Sequence, residues 1–353
     1  MITEIVYLNR FFLAKIGERD FFVQDGFIEC RDKAGDILFI SDEIGGEYIF
    51  ECTDLFVRNS EAIRVFDGVT GKFKTLIKGY ELFENSLIAD CNVLVNDYRE
   101  SQRRLTLLNL KNEFTIWTIE FKRGSNFFVD DCTVYLERYR DKKYLYAINL
   151  KNGDIRWQFD ISQFGFFLDY ANKEEIYSLV QIVGVLNNLL WVVISGGRLL
   201  ALNTQTGQLI HELNFNEIFG EPYHAGPRQM FLDKVNKRII WVRSGLVHID
   251  LVSLKCTVVK EYFNGLEKED RWLFTDKILH NNKVFFSGDH GMHNPIVATF
   301  LGIMNADTGE IIWDTQLLKC DGISHFGLHV SGNRIYARDG KRNLHVFEQE
   351  VNF

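Results

Sequence analysis

The residues best placed to do chemistry lie in one short stretch, Asp289-His290-Gly291-Met292-His293. A His-x-x-His pair beside an aspartate can ligate zinc, and His224 or His280 could add a ligand. The spacing lacks a helix to fix it, so ordinary loop polarity is the favoured reading and no metal is expected. Gly68-Val69-Thr70-Gly71-Lys72 is too short for a phosphate loop. No G-x-S-x-G elbow and no His-Glu-x-x-His motif occurs. The acidic pairs Asp130-Asp131 and Glu174-Glu175 are adjacent, so on a strand they point to opposite faces and make poor acid–base partners. The sequence therefore assigns no catalytic residue and no cofactor, and a non-enzymatic role is expected.

The elements that carry these residues form a repeat. Its clearest copy is Tyr144 to Trp157: an alternating apolar strand ending in Asn149, a turn closed by Gly153, then a strand bearing Trp157. Asn203–Gly207, Asn305–Gly309 with Trp313, and Asp67–Gly71 repeat it; weaker copies carry Asn109 (with Glu113 in the glycine's place, then Trp117) and Asp250. Glycine supplies the positive φ that a tight turn needs, and a short Asn or Asp side chain can bond the turn backbone.

A second landmark keeps the same period. Asn187-Asn188, Asn236-Lys237, Asn281-Asn282 and Gly332-Asn333 each precede an apolar strand, and Asn9-Arg10 looks like another copy. Second strands are expected to begin near Phe11, Leu55, Val93, Thr133, Leu189, Ile239, Val284 and Ile335. A spacing of about 40–50 residues with four short strands is the blade of a propeller. The expectation is an all-β chain: a single β-propeller domain over residues 1–353, with about eight four-stranded blades, or seven if the first and last copies share one. Cys52, Cys91 and Cys132 fall at one point of this register and are expected to be small buried residues. Disulfides or a metal cluster among them are disfavoured, because equivalent points on neighbouring blades lie too far apart.

Bulk composition agrees. Aromatics make up 14% of the 353 residues, with 30 Phe and 13 Tyr, which suits strands. A net charge of −8 argues against nucleic-acid binding, which needs a basic stripe. No run of about 18 apolar residues is present to span a membrane. The N-terminal stretch is interrupted by Glu4, Arg10, Lys15 and Glu18, unlike a secretory signal. A cytoplasmic, monomeric protein is the expectation.

The A-x-[ND]-x-x-[TN]-G-x-x-x-W units at Asn149–Trp157 and Asn305–Trp313 resemble the PQQ-like repeat of the quinoprotein alcohol dehydrogenase-like superfamily. The resemblance implies a propeller in which Trp157, Trp313 and Trp117 pack between blades as staples. That superfamily includes cofactor-dependent dehydrogenases and cofactor-free scaffolds, such as the outer-membrane assembly lipoprotein. The dehydrogenases carry a vicinal Cys–Cys disulfide over the cofactor, and this sequence has no adjacent Cys pair, so PQQ chemistry is not expected.

The long loops, Asp160–Glu175, Asn214–Arg228, Asn264–Arg271 and Gly288–Pro295, all fall on one rim over blades four to seven. Loops elaborated on one face of a repeat scaffold commonly bind. They carry Phe164, Phe166, Phe167, Tyr170, Phe219, Tyr223, His224, Arg228, His290, Met292 and His293, with Trp272 just beyond. Aromatics, Met and Arg are enriched in interface cores. The competing reading is that these rings fold back and plug the loops onto the blades. The expected function is a protein-binding scaffold or an inhibitor or immunity-type protein, with a partner that presents a basic surface. The alternative is a propeller enzyme or sugar-type ligand binder with a site over the axis.

Overall fold

A computed structural model describes the chain apart from residues 1, 8, 9, 17, 18, 25, 26, 33, 42–48, 52, 53, 60, 61, 82–91, 100–103, 121, 122, 139, 140, 170, 221–228, 264, 292–297, 318–321, 332, 333, 342 and 350–353. The described strands form eight four-stranded antiparallel sheets and one two-stranded hairpin. Seven of the sheets follow one another along the chain, over residues 10–40, 49–78, 80–119, 123–160, 179–214, 230–261 and 272–316. The eighth joins Ile323–Ser331, Arg334–Asp339 and Leu344–Gln349 to the N-terminal strand Ile2–Tyr7. The chain divides into two compact units. Residues 44–227 hold sheets two to five; residues 1–43 and 228–353 hold sheets one, six, seven and eight.

The expected turn chemistry is what shapes each sheet. Between the third and fourth strands the residue four after the Asn or Asp adopts positive φ in six sheets: Gly71 (69°), Glu113 (53°), Gly153 (78°), Gly207 (71°), Leu254 (59°) and Gly309 (70°). The Asn203 Oδ1 accepts from the amides of Gln205 (2.9 Å) and Thr206 (3.0 Å), which closes the turn. Between first and second strands, Asn187-Asn188 (54° and 60°) and Asn281-Asn282 (47° and 57°) have positive φ at both positions. That is the type I′ turn, whose twist matches a hairpin's. Gly332-Asn333 lies outside the described residues.

The expected second strands begin at or one residue before the positions read from sequence, with one exception. Phe11 lies on the first strand of sheet one, Arg10–Ile16, and the second begins at Arg19. The chain near Arg10 passes from sheet eight to sheet one instead of turning within a sheet, because the preceding strand Ile2–Tyr7 pairs with Leu344–Gln349. The first and last segments thus share a sheet, and eight four-stranded sheets still result.

Within each unit the core lies between neighbouring sheets. In the first unit, Tyr135, Ala147 and Trp157 of sheet four meet Leu190, Val192 and Leu202 of sheet five. The tryptophans staple as the resemblance implied. The Trp157 indole N–H donates to the Thr204 carbonyl (2.9 Å), and the Trp117 N–H to that of Leu150 (2.7 Å). Each ring lies on the turn glycine of the next sheet: a Cβ at Gly207 would come within 2.7 Å of Trp157, and one at Gly153 within 2.9 Å of Trp117. In the other unit Trp313 packs on Phe347, ring centroids 5.6 Å apart. Between sheets six and seven no tryptophan fills this place. The Tyr262 hydroxyl donates to the Gly309 carbonyl there, and Arg238 pairs with Asp307. His248 adds a 2.7 Å hydrogen bond from Nε2 to the Ala306 carbonyl, while its Nδ1 accepts from Arg238 at 3.3 Å. Burial holds the His248 imidazole below its ordinary value.

The cysteines depart from expectation. Cys132 is exposed, sitting in the turn before the second strand of sheet four, where the Arg156 guanidinium reaches its sulfur at 3.5 Å. A turn position lies beyond the buried part of the ladder, so the shared register does not bury it. Cys52 and Cys91 lie outside the described residues.

Candidate partner-binding surface

Of the four long loops, the one between sheets four and five is described almost throughout. Asp160 ends sheet four and caps the next turn: its Oδ1 accepts from the Ser162 amide (2.9 Å) and hydroxyl (2.6 Å), starting a single 3-10 turn, Ile161–Phe164. Gly165, at φ 80°, redirects the chain. The strand Phe166–Leu168 then pairs antiparallel with Glu174–Ile176, in the register Phe166 with Ile176, Phe167 with Glu175 and Leu168 with Glu174. Asp169 closes this hairpin, its Oδ1 accepting from the amides of Ala171 and Lys173, both at 2.8 Å.

The alternation of a strand divides these residues between two faces. Phe167 turns inward, its ring 5.1 Å from that of Tyr177; the Phe164 ring lies 6.0 Å from the same tyrosine. Arg198 of sheet five caps this cluster, stacking on Tyr177 at 5.1 Å and donating from Nε to the Tyr177 hydroxyl at 3.1 Å. Gly196 lets the cluster approach, since a Cβ there would meet Phe167 and Tyr177 within 2.8 Å. The other face points to solvent: Phe166 is 63% exposed, Leu168 56% and Ile176 38%. Glu174 and Glu175 are exposed and have no ion-pair partner among the described residues. The aromatics of the loop therefore divide between its two faces. Phe164 and Phe167 anchor it to the sheet, and Phe166 is presented. Leu168 and Ile176 complete the apolar face; the sequence did not single them out, because only the hairpin pairing sets these aliphatic residues beside Phe166.

The other expected residues are spread differently. Phe219 ends the one-turn helix Phe215–Phe219, its ring 6.3 Å from buried Phe215, in a turn capped by Asn214. Trp272 is a core residue: only 7% exposed, it meets Phe286 and Phe300 edge-on and stacks on His290 at 4.4 Å. His290 is held by that stack. Tyr170, Tyr223, His224, Arg228, Met292 and His293 lie outside the described residues. Among the described residues no group of three His, Cys, Asp or Glu side chains is arranged for a metal. Sheet seven buries one cation, Lys277, which donates to the carbonyls of Phe274 (3.1 Å) and Thr275 (3.4 Å). Burial pushes its ammonium down to about 8.

No family model and no curated protein sequence matches the chain. Solved structures do. BamB from Moraxella catarrhalis is 15% identical, with 100% of this chain and 99% of that chain covered and a TM-score of 0.61. The C-terminal WD40 domain of Sif2 gives 10% identity, 99% and 98% coverage and a TM-score of 0.61. The quinohemoprotein alcohol dehydrogenase from Comamonas testosteroni gives 11% identity, 99% of this chain against 77% of that one, and a TM-score of 0.59. At such identities the likeness speaks for architecture. Together with the four-stranded sheets, it shows that this chain has the β-propeller fold.

Proposed function

We propose that residues 1–353 act as one non-catalytic, protein-binding propeller domain, cytoplasmic and monomeric on its own. It works as a scaffold or as an inhibitor or immunity-type protein, and it engages its partner through the long loops of blades four to seven. The observation that carries this reading is the solvent face of Phe166, Leu168 and Ile176, built on a hairpin whose opposite face is anchored by Phe167 and Tyr177. Exposed apolar side chains grouped on an ordered loop favour a binding role over a solvated connector. The net charge of −8 favours a partner with a basic surface, since opposite fields accelerate encounter. Capture from lysate of the native host, compared between the wild type and a Phe166→Ser/Leu168→Ser variant, tests it. The wild type is expected to retain a partner that the variant loses. Equal capture by both proteins sinks the assignment of this loop.

A further inference from the structure

The same hairpin carries an unfinished sheet. Its two strands form a two-stranded sheet of their own, joined to no third strand among the described residues. The hydrogen bond from the Asp169 amide to the Lys173 carbonyl (2.9 Å) sets the phase of the ladder. Bonded and non-bonded pairs alternate in an antiparallel ladder, so Phe167 and Glu175 bond each other, whereas Leu168 with Glu174 and Phe166 with Ile176 are non-bonded pairs. The N–H and C=O groups of Glu174 and Ile176 therefore point away from the hairpin. No hydrogen bond to them from another described element is present, and the whole strand Glu174–Ile176 is exposed. Natural proteins usually blunt such an edge with lysine, proline or a covering loop; here it bears two carboxylates beside an apolar residue.

We propose that this edge is completed by an extended segment of the partner protein, adding as a third strand beside Glu174–Ile176. The proposal rests on the protein-binding reading above and names what the loop binds. The edge fixes the chemistry of that segment. On the solvent face the incoming strand sets one side chain beside Ile176, where an apolar residue continues the surface of Phe166 and Leu168. The next side chain falls beside Glu175 on the opposite face, and the one after beside Glu174, where lysine or arginine meets each carboxylate. The motif is apolar-basic-basic read antiparallel to this strand. Charge also selects against a second copy of this chain: antiparallel self-pairing about Glu175 sets carboxylate against carboxylate, which is destabilising.

The test uses the full-length protein and a short capped peptide whose central residues are valine, lysine and lysine. Two companion peptides are used, one with N-methylated central amides and one with glutamates for the lysines. Saturable binding of the lysine peptide, weakened at least about tenfold by N-methylation and about tenfold by charge reversal, is expected, because each change removes interactions of order 1 kcal/mol. Slowed amide exchange at Glu174 and Ile176 in the complex is expected as well. Equal binding of the N-methylated peptide, or no saturable binding of any peptide, overturns strand addition. So does concentration-dependent dimerisation through this hairpin. The peptide arms leave the protein unaltered, so misfolding of a variant cannot confuse them. If they fail while the Phe166→Ser/Leu168→Ser variant still loses its host partner, strand addition falls and the protein-binding reading stands.

Discussion

The contact between Trp157 and Gly207 shows how single side chains hold neighbouring sheets. The indole covers a residue at φ 71° whose absent Cβ leaves room for it, and its N–H is satisfied by the Thr204 carbonyl. Trp157→Ala is expected to cost about 3–5 kcal/mol, the range for deleting a large buried ring. Trp157→Phe should cost less, as the hydrogen bond is lost but much of the packing remains. Urea unfolding of both variants checks the order, and a Trp157→Ala protein as stable as the wild type would remove the staple. This contact was legible beforehand because glycine and tryptophan recur at fixed spacing. Lys277 was not, since nothing in Trp272–His280 distinguishes a buried lysine from a solvated one. Its ammonium titrates at about 8 instead of 10.5. Between those values the unfolded chain holds a proton that the folded chain lacks, so the lysine adds stability as pH rises through the window. Below pH 8 both states are charged and the burial penalty is present in full. Lys277→Met is expected to flatten that rise, by up to roughly 3 kcal/mol. Stability curves of the two proteins at pH 7.5–10.5, the range set by that shift, measure the difference; parallel curves would show that Lys277 does not titrate there.

At the scale of the element, turns were easier to read than loops. A turn needs one conformation from one residue, and the Asn and Gly types at those positions announce it. Glu113 and Leu254 are instructive because they take the glycine's place and also its positive φ, 53° and 59°. The fold imposes the conformation even where the residue resists it. A bulky L-residue in the left-handed region costs about 1–2 kcal/mol, and glycine relieves this at some cost in unfolded-state entropy. Leu254→Gly is accordingly expected to stabilise the protein by about 0.5–1 kcal/mol, read as a higher midpoint in thermal unfolding. A lower midpoint would mean that the half-buried leucine side chain contributes more than its backbone costs. The loop between sheets four and five resisted the same kind of reading. Its aromatics crowd together, Phe164, Phe166 and Phe167, and only the turn at Gly165 and the pairing with Glu174–Ile176 decide which faces inward. That pairing depends on Asp169 bonding the amides of Ala171 and Lys173, a local closure that composition alone does not reveal.

At the scale of the whole chain, the repeat predicted the sheets and left open whether the two ends share one. Ile2–Tyr7 mixes apolar and polar residues as other strands of the chain do, and nothing within it names its partner. The structure pairs it in six antiparallel positions, from Ile2 with Gln349 to Tyr7 with Leu344. It supplies one edge strand of sheet eight, so the four-stranded sheet is complete only when residues from opposite ends of the chain meet. Closing so long a stretch carries an entropic cost before the contacts return anything, and non-local pairing of this kind slows folding. Removing residues 1–9 leaves Leu344–Gln349 as an edge with unpaired backbone groups. The truncated protein is expected to unfold at lower urea concentration and to self-associate, because a bare edge recruits another strand. Adding the excised segment back as a synthetic peptide should restore the wild-type midpoint in a concentration-dependent way, as binding to the folded state alone stabilises it. Should the truncated protein match the intact one in both midpoint and size, sheet eight holds without its N-terminal strand, and the ends of the chain do not secure each other.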